Sequence, residues 1–409
     1  MKATYIDYKE TKSFSSAVIR YIEQDPALKP FISTFPTLEG FAEAINNRKV
    51  TADREVLVEV LKEQYSRTSI PDFESSAVAA NIELLASENT YTVTTGHQLN
   101  IFTGPLYFIF KIVTAIKLAR DLKKEFPDKN FVPVYWMATE DHDFAEINHT
   151  HISGKKVSWK NAAAAGATGR LKLSTFAETL KEYKSVLGLS AYAEDLSVLV
   201  DAAYSKNRTL ADATRYLVNA LFESYGLIVL DADDARLKRQ FAETIKSDIL
   251  NQHSFQHIEE TVAKLSAEGI EGQVNPREIN FFYLLDGLRE RLTQEGDRFY
   301  VLNSEISFSR EELVQEITNH PERFSPNVVM RPLYQEVILP NLAYIGGGAE
   351  VVYWLELKKS FAHYAVDFPI LILRNSALIA RDSLDSRLAQ LGLTYKDLFE
   401  KTDDQKKKL

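Results

Sequence analysis

Phe131-Val132-Pro133-Val134-Tyr135-Trp136-Met137-Ala138-Thr139-Glu140-Asp141-His142-Asp143 is the stretch whose reading decides the fold. Its first eight residues are nearly all apolar and do not alternate, the pattern of a strand covered on both faces, which belongs to a parallel sheet. The polarity then reverses at once into three carboxylates and an imidazole. Upstream, Tyr91-Thr92-Val93-Thr94-Thr95 is a β-branched run ending at Gly96, and Gly104-Pro105 precedes a long apolar helix in which proline takes the favoured first position. Strand, helix and buried strand make a βαβ unit.

Working outward, further apolar strands are read at residues 226–231, 281–285, 299–302, 342–345 and 370–373. Gly346-Gly347-Gly348 follows the fourth of these and leads into a helical run over 349–364. Two strand–glycine–helix units so far apart predict an α/β fold, with one Rossmann-like, doubly wound parallel sheet interrupted by a large insertion. The expected division is an N-terminal helical segment (1–90) packed on the core and the first half of the core (91–150). A mixed region with a helical connecting insertion and further core strands follows (151–330), including an Ala/Gly-rich loop at 161–169. The second half of the core (331–380) and a helical tail (381–409) complete it. Within the first segment, Thr51-Ala52-Asp53-Arg54-Glu55 opens an amphipathic helix, and Pro71 follows its end. In the tail, Leu384, Leu388, Leu391, Tyr395 and Leu398 fall at heptad spacing, which predicts the start of a coiled coil. Gly392 interrupts the seam and Thr394 is placed to cap a fresh helix, so a helix–turn–helix corner is the alternative.

The 409 residues are enough for about two to three domains, and 45% apolar with 26% charged residues is a globular composition. Forty-eight basic against 57 acidic residues leave a net charge of −9, which argues against a general nucleic-acid binder. The absence of cysteine excludes disulfides, thiolate metal sites and a cysteine nucleophile. The N-terminus lacks the layout of a secretion signal. The longest apolar region, 106–122, carries Lys111, Lys117, Arg120 and Asp121. A cytoplasmic protein with no membrane and no nucleic-acid partner is expected.

Four segments are candidates for chemistry, all at predicted carboxyl ends of strands, where parallel sheets hold ligands. Thr95-Gly96-His97-Gln98 with Phe102-Thr103-Gly104-Pro105 would offer free amides and a helix N-terminus to an anion, or merely start a helix. Glu140-Asp141-His142-Asp143 would orient an amine, hold a divalent metal or transfer protons, or form a solvated turn. His149 and His151 would share a strand face nearby. Gly346-Gly347-Gly348-Ala349-Glu350 would admit a ribose or adenine to the backbone, or make a tight connection in which Glu350 complements the helix dipole. Arg374-Asn375-Ser376 would pair with phosphate, or form an ion pair at the sheet edge.

Those motifs, together with Phe144-Ala145-Glu146, Ser325-Pro326-Asn327-Val328, Arg331-Pro332 and Tyr353-Trp354, resemble the bacillithiol biosynthesis cysteine-adding enzymes from about Tyr91 to Ser376. The resemblance implies a ligase that joins cysteine to glucosaminyl malate, with a Rossmann-like core similar to class I aminoacyl-tRNA synthetases and pantothenate synthetases. It further implies a connecting insertion and a homodimer formed through a long coiled coil, for which this chain is C-terminally short. Relatives often carry Gln where this chain has His97. Of the wider superfamily's His-x-Gly-His signature only Gly104 is present, and Arg374-Asn375-Ser376 stands where the synthetase lysine signature falls.

By the same resemblance, ATP with Mg²⁺ would activate the cysteine carboxylate, with no metal site built by the protein. Asp141 and Asp143 would grip an amine, with His142 as a base and His97 beside the phosphates. Gly96, Gln98, Thr103 and Gly104 would face the phosphates, Gly346, Gly347, Gly348 and Glu350 the adenosine, and Arg374, Asn375 and Ser376 further phosphate charge. The rival readings are a metal-dependent phosphoesterase or nucleotidyltransferase using Asp141, His142, Asp143 and His149, and a scaffold built on the C-terminal heptads.

Overall fold

A computed structural model describes residues 3–68, 70–189 and 191–402. Its strands, in chain order, are β1 (Thr90–His97), β2 (Asn130–Met137), β3 (His149–Ile152), β4 (Lys155–Ser158), β5 (Ile228–Asp231) and β6 (Phe281–Leu285). They continue with β7 (Leu288–Glu295), β8 (Arg298–Val301), β9 (Ser307–Ser309), β10 (Phe324–Pro326), β11 (Asn341–Gly346) and β12 (Ile370–Leu373). The central sheet runs β12-β11-β1-β2-β5, and every pairing in it is parallel. The chain starts in the middle, winds outward to β5, then returns to the other side of β1. That is the doubly wound Rossmann-like order, with its switch point between β1 and β11.

Both faces of the sheet are covered, as the apolar strands require. Tyr91 and Val93 pack on one face with Ala115, Ala119 and Leu122 of the helix Tyr107–Glu125, and Val132, Val134 and Trp136 join the larger core. Of the buried threonines of β1, Thr95 donates to Ile345 O at 2.9 Å, and Thr92 and Thr94 share one partner. Thr92 and Thr94 hydroxyls donate to Asn341 Oδ1 at 3.0 and 2.8 Å, Asn341 donates to Glu336 at 2.6 Å, and Arg48 pairs with Glu336 at 2.5 Å. A chain of this kind places no polar atom of the central strands in the core without a partner.

The long excursion between β5 and β11 contains an antiparallel sheet ordered β10-β6-β7-β8-β9. Residues 281–285 and 299–302 were legible as strands, but they belong to this antiparallel sheet and not to the core sheet expected to hold them, in which residues 228–231 alone of the 151–330 region take part. β7, β9 and β10 were not legible, because Leu288–Glu295 is mostly polar and the other two are three residues long. The region read as turning helical after residue 150 also holds the hairpin β3–β4. No helix among the described residues is long and apolar enough to cross a membrane.

Three local expectations change. Pro105 is not the first helical residue. The helix opens at Tyr107, after Phe102, Thr103 and Gly104 take left-handed φ values of 55°, 71° and 60°. The run 349–364 is two helices, Gly348–Leu355 and Lys358–His363. In the tail, the heptad seam does not form one helix. The helix Asp382–Gln390 stops before Gly392 (φ 66°), and Thr394 caps a short 3-10 turn, Tyr395–Phe399, so the corner forms and a continuous coiled-coil start does not. Glycine is the residue that accepts a left-handed φ without strain, which is why the break falls there. Residues 403–409 lie outside the described residues.

Candidate active site

The carboxyl ends of β1, β2 and β11 face the inner surface of the antiparallel sheet across a cleft of about 660 Å³. At the switch point, Lys111, one turn inside the apolar helix Tyr107–Glu125, donates to Gly96 O at 2.7 Å and pairs with Glu350 at 2.5 Å. Glu350 also accepts the Tyr344 hydroxyl and the Gly347 N–H, each at 2.8 Å. Burial pushes the Lys111 ammonium down, against the pull of Glu350. Burial works to raise the Glu350 carboxyl, but Lys111 and the two donors hold it below the usual range. A Cβ on Gly96 would sit 3.3 Å from Tyr344 Oη and 3.7 Å from Arg331 Nη1, so glycine keeps this wall open.

Arg331 lies between Trp136 and Tyr344, its guanidinium carbon 6.0 and 5.8 Å from their ring centres. It donates to Gln335 at 3.2 Å and Tyr353 at 3.4 Å. Among the described residues no carboxylate lies within ion-pair reach of Arg331, nor of Arg277 or Arg291, which also line the cleft. Lys111, Arg277, Arg289, Arg291 and Arg331 thus face three acids, of which Glu350 is bound to Lys111 and Glu140 to the buried Lys238. An excess of cations in a cleft of a chain with net charge −9 focuses an attractive potential for anions.

The turn after β2 is held from several sides. Lys238 pairs with Glu140 at 2.5 Å and donates to Phe324 O at 2.8 Å. Gly169 N–H donates to Thr139 O at 2.8 Å and Thr168 N–H to Asp141 O at 2.7 Å. A Cβ on Gly169 would come within 2.5 Å of Thr139 Cβ, so the small residues of 161–169 let this strap lie flat on the turn. Asp141 accepts from Gln98 at 2.7 Å and from the His142 N–H at 2.8 Å.

His142 Nδ1 lies 2.6 Å from Arg289 Nη1. Arginine only donates, so Nδ1 carries the lone pair, the ring is neutral and its proton sits on Nε2. His142 thus offers a donor to the cleft, and acts as a base only if Arg289 releases it. Arg289 is fixed by its stacking over Phe282 at 4.0 Å and its bond to Ser325 Oγ at 3.1 Å.

His97 Nδ1 lies 2.9 Å from Gln98 O, which can only accept, leaving Nε2 as an acceptor. Burial, with Lys111 next, pushes the imidazole down to about 4 from 6.5. The unfolded chain takes up this proton at higher pH than the folded one, so stability falls as pH drops from about 6.5 to about 4 and then levels. Urea midpoints measured across that window should show a flatter decline in His97→Gln. An unchanged slope would mean another group carries it.

Of the segments singled out from sequence, Gly96, His97, Gln98, Asp141, His142 and Glu350 line the cleft together. Thr103 and Gly104 do not. The Phe102 and Gly104 amides are spent on Tyr204 Oη and Ile101 O, and a Cβ on Gly104 would strike Asn100. Asp143 caps the short helix Phe144–Ile147. Gly346, Gly347 and Gly348 lie behind Glu350 rather than on the wall, with Gly348 against Val18. Arg374 sits over the Tyr107 ring at 5.2 Å and bonds to Asn375 O and Ser376 Oγ, one step outside. The cations were missed. Their one visible signal was Lys111, a charge inside an apolar helix, since arginines scattered over 277–331 have no shared spacing.

Strand order and a cation-lined cleft at the switch point define a Rossmann-like α/β protein built to take an anionic ligand. The model of the family described as bacillithiol biosynthesis BshC, N-terminal Rossmann-like domain, matches residues 1–375. The chain belongs to that family. It is 48% identical over 407 residues to a protein of Flavobacterium johnsoniae named "Putative cysteine ligase BshC", covering 99% of this chain and 76% of that one. Proteins of the same name from Flavobacterium psychrophilum and Bacillus pumilus are 47% and 32% identical over 98% and 88% of this chain, and 75% and 67% of theirs.

Proposed function

We propose that this chain is a cysteine ligase of bacillithiol biosynthesis, forming the amide between the cysteine carboxyl group and the amine of glucosaminyl malate with ATP as co-substrate. Family membership supports the reaction class. The observation that carries the site is the cleft itself, in which three arginines without carboxylate partners line the same wall space as Asp141, which Arg289 approaches to 3.8 Å. Glucosaminyl malate brings two carboxylates and a nucleotide brings phosphates, and both suit such a wall. ATP supplies the leaving group that an unactivated carboxylate lacks, and would arrive with Mg²⁺.

In this reading Arg277, Arg289 and Arg291, on the side of the antiparallel sheet, hold the malate end. Arg331 and Lys111 at the switch point meet the phosphates. Asp141, oriented by Gln98, attracts an ammonium group. His142 donates from Nε2 to developing negative charge, and His97 Nε2 and Asp141 are the open proton acceptors. Such chemistry needs positioning and charge stabilisation, not a covalent nucleophile, which agrees with a chain that has no cysteine.

The rival metal-dependent reading finds no support in the geometry. Asp143 is engaged as a helix cap and His149 bonds to Asn148, and Asp141, His142, Asp143 and His149 do not gather their ligand atoms. The test is anaerobic incubation with cysteine, glucosaminyl malate, ATP and Mg²⁺, with mass spectrometry for bacillithiol and for AMP against ADP. Bacillithiol with AMP is expected, and Asp141→Asn should lower the rate by about 10²-fold. ADP would replace the adenylate with an acyl phosphate. No product from the wild-type chain beside an active relative would refute the ligase reading.

A further inference from the structure

Away from the cleft, three imidazoles converge on the seam between the insertion and the second half of the core. His253 opens the helix His253–Ala267, and His257 follows one turn later on the same face. His363 ends the helix Lys358–His363, which packs against it. The His253 and His363 ring centres are 4.2 Å apart, and those of His257 and His363 are 4.7 Å apart. One nitrogen from each ring lies within 4.8 Å of the other two, and this is the one such group of three or more potential ligands among the described residues.

The second observation concerns His257. Both of its ring nitrogens are buried and neither has a hydrogen-bond partner. A buried polar atom left unpaired costs free energy, and native structures rarely keep two on one ring. Lys359, the nearest cation, is ion-paired to Glu260. Asp248 braces the cluster by accepting from Ser254 N–H at 2.7 Å, Ser254 Oγ at 2.8 Å and Tyr364 Oη at 2.9 Å.

We propose that His253, His257 and His363 form a site for a divalent transition metal of the zinc class, clamping the insertion to the core. Three neutral imidazoles with no thiolate suit Zn²⁺ or Co²⁺, with water as the fourth ligand. Zinc–nitrogen bonds of about 2.0–2.1 Å place ligand nitrogens about 3.4 Å apart, so small rotations of His253 and the exposed His363 close the site on His257. His363 is exposed, which gives the ion its entry. The insertion also carries Arg277 and Arg289, so the clamp would set one wall of the cleft against the other.

Co²⁺ titration of the metal-free full chain reads this directly. One equivalent is expected to bind with the visible absorption of tetrahedral cobalt and to raise Tm. His363→Ala, at an exposed position, and His253→Ala should each lose that equivalent and the Tm shift while keeping a wild-type circular dichroism spectrum. No tetrahedral cobalt band in the wild-type chain, or a band and Tm shift that survive in both variants, would overturn the site.

Discussion

Arg331→Met should lower kcat/KM for amide formation by about 10²–10³-fold, the cost of removing one aimed donor from a site that stabilises developing charge. The side chain is placed for this task by apolar and neutral neighbours. Trp136 and Tyr344 flank it, Gln335 and Tyr353 accept two of its five N–H groups, and no described carboxylate lies within ion-pair distance, Glu350 acting on it from farther off. Its positive charge is therefore available to a ligand. Arg331→Lys should recover little, because an ammonium cannot reproduce a planar fork held between two rings. The loss should appear in single-turnover rates as well as in nucleotide affinity. A change of less than about threefold in kcat/KM would remove Arg331 from the catalytic set.

Lys238→Met should cost about 3–5 kcal/mol of folding stability, the range for breaking a buried pair from one side. The Lys238 side chain is 0% exposed and that of Glu140 11%, so the orphaned carboxylate would have almost no access to water. Lys238 also donates to Phe324 O in β10, joining the end of β2 to the antiparallel sheet across the cleft. Glu140→Gln combined with Lys238→Met should be less destabilised than Lys238→Met alone, because no unpaired charge remains. Urea unfolding measures both. Equal losses in the single and double variants would show that packing around Lys238, rather than charge, sets the cost.

The sheet was legible because burial on both faces forces a strand into an uninterrupted apolar run, as in Phe131–Met137 and residues 226–231. Candidate residues at the strand ends were legible for a related reason. A wholly apolar strand that stops at Glu140-Asp141-His142 has left the core at a defined point, and so has the β-branched strand that stops at Gly96-His97. The glycine-rich and Arg374 segments carry the same signature but face other neighbours. Where a side chain points one residue beyond a strand depends on contacts that the pattern does not encode. Thr103 and Gly104 stay off the cleft wall, and Tyr204 and Ile101 take the Phe102 and Gly104 amides. The tail shows the converse, since two heptads cannot hold a helix together across Gly392.

By itself, the sequence determined an α/β chain, its five core strands, the family it resembles and the acid-rich turn after β2. These follow from local periodicity and from motifs whose residues are adjacent in the chain. Only the tertiary structure decided that Lys111, Arg277, Arg289, Arg291 and Arg331 share one cleft, that Arg289 sets the tautomer of His142, and that His363 meets His253 and His257 from over a hundred residues away. Charge and lone pairs act over a few ångströms of space, whereas periodicity acts along the chain. A cluster assembled from distant segments therefore leaves no local pattern to read.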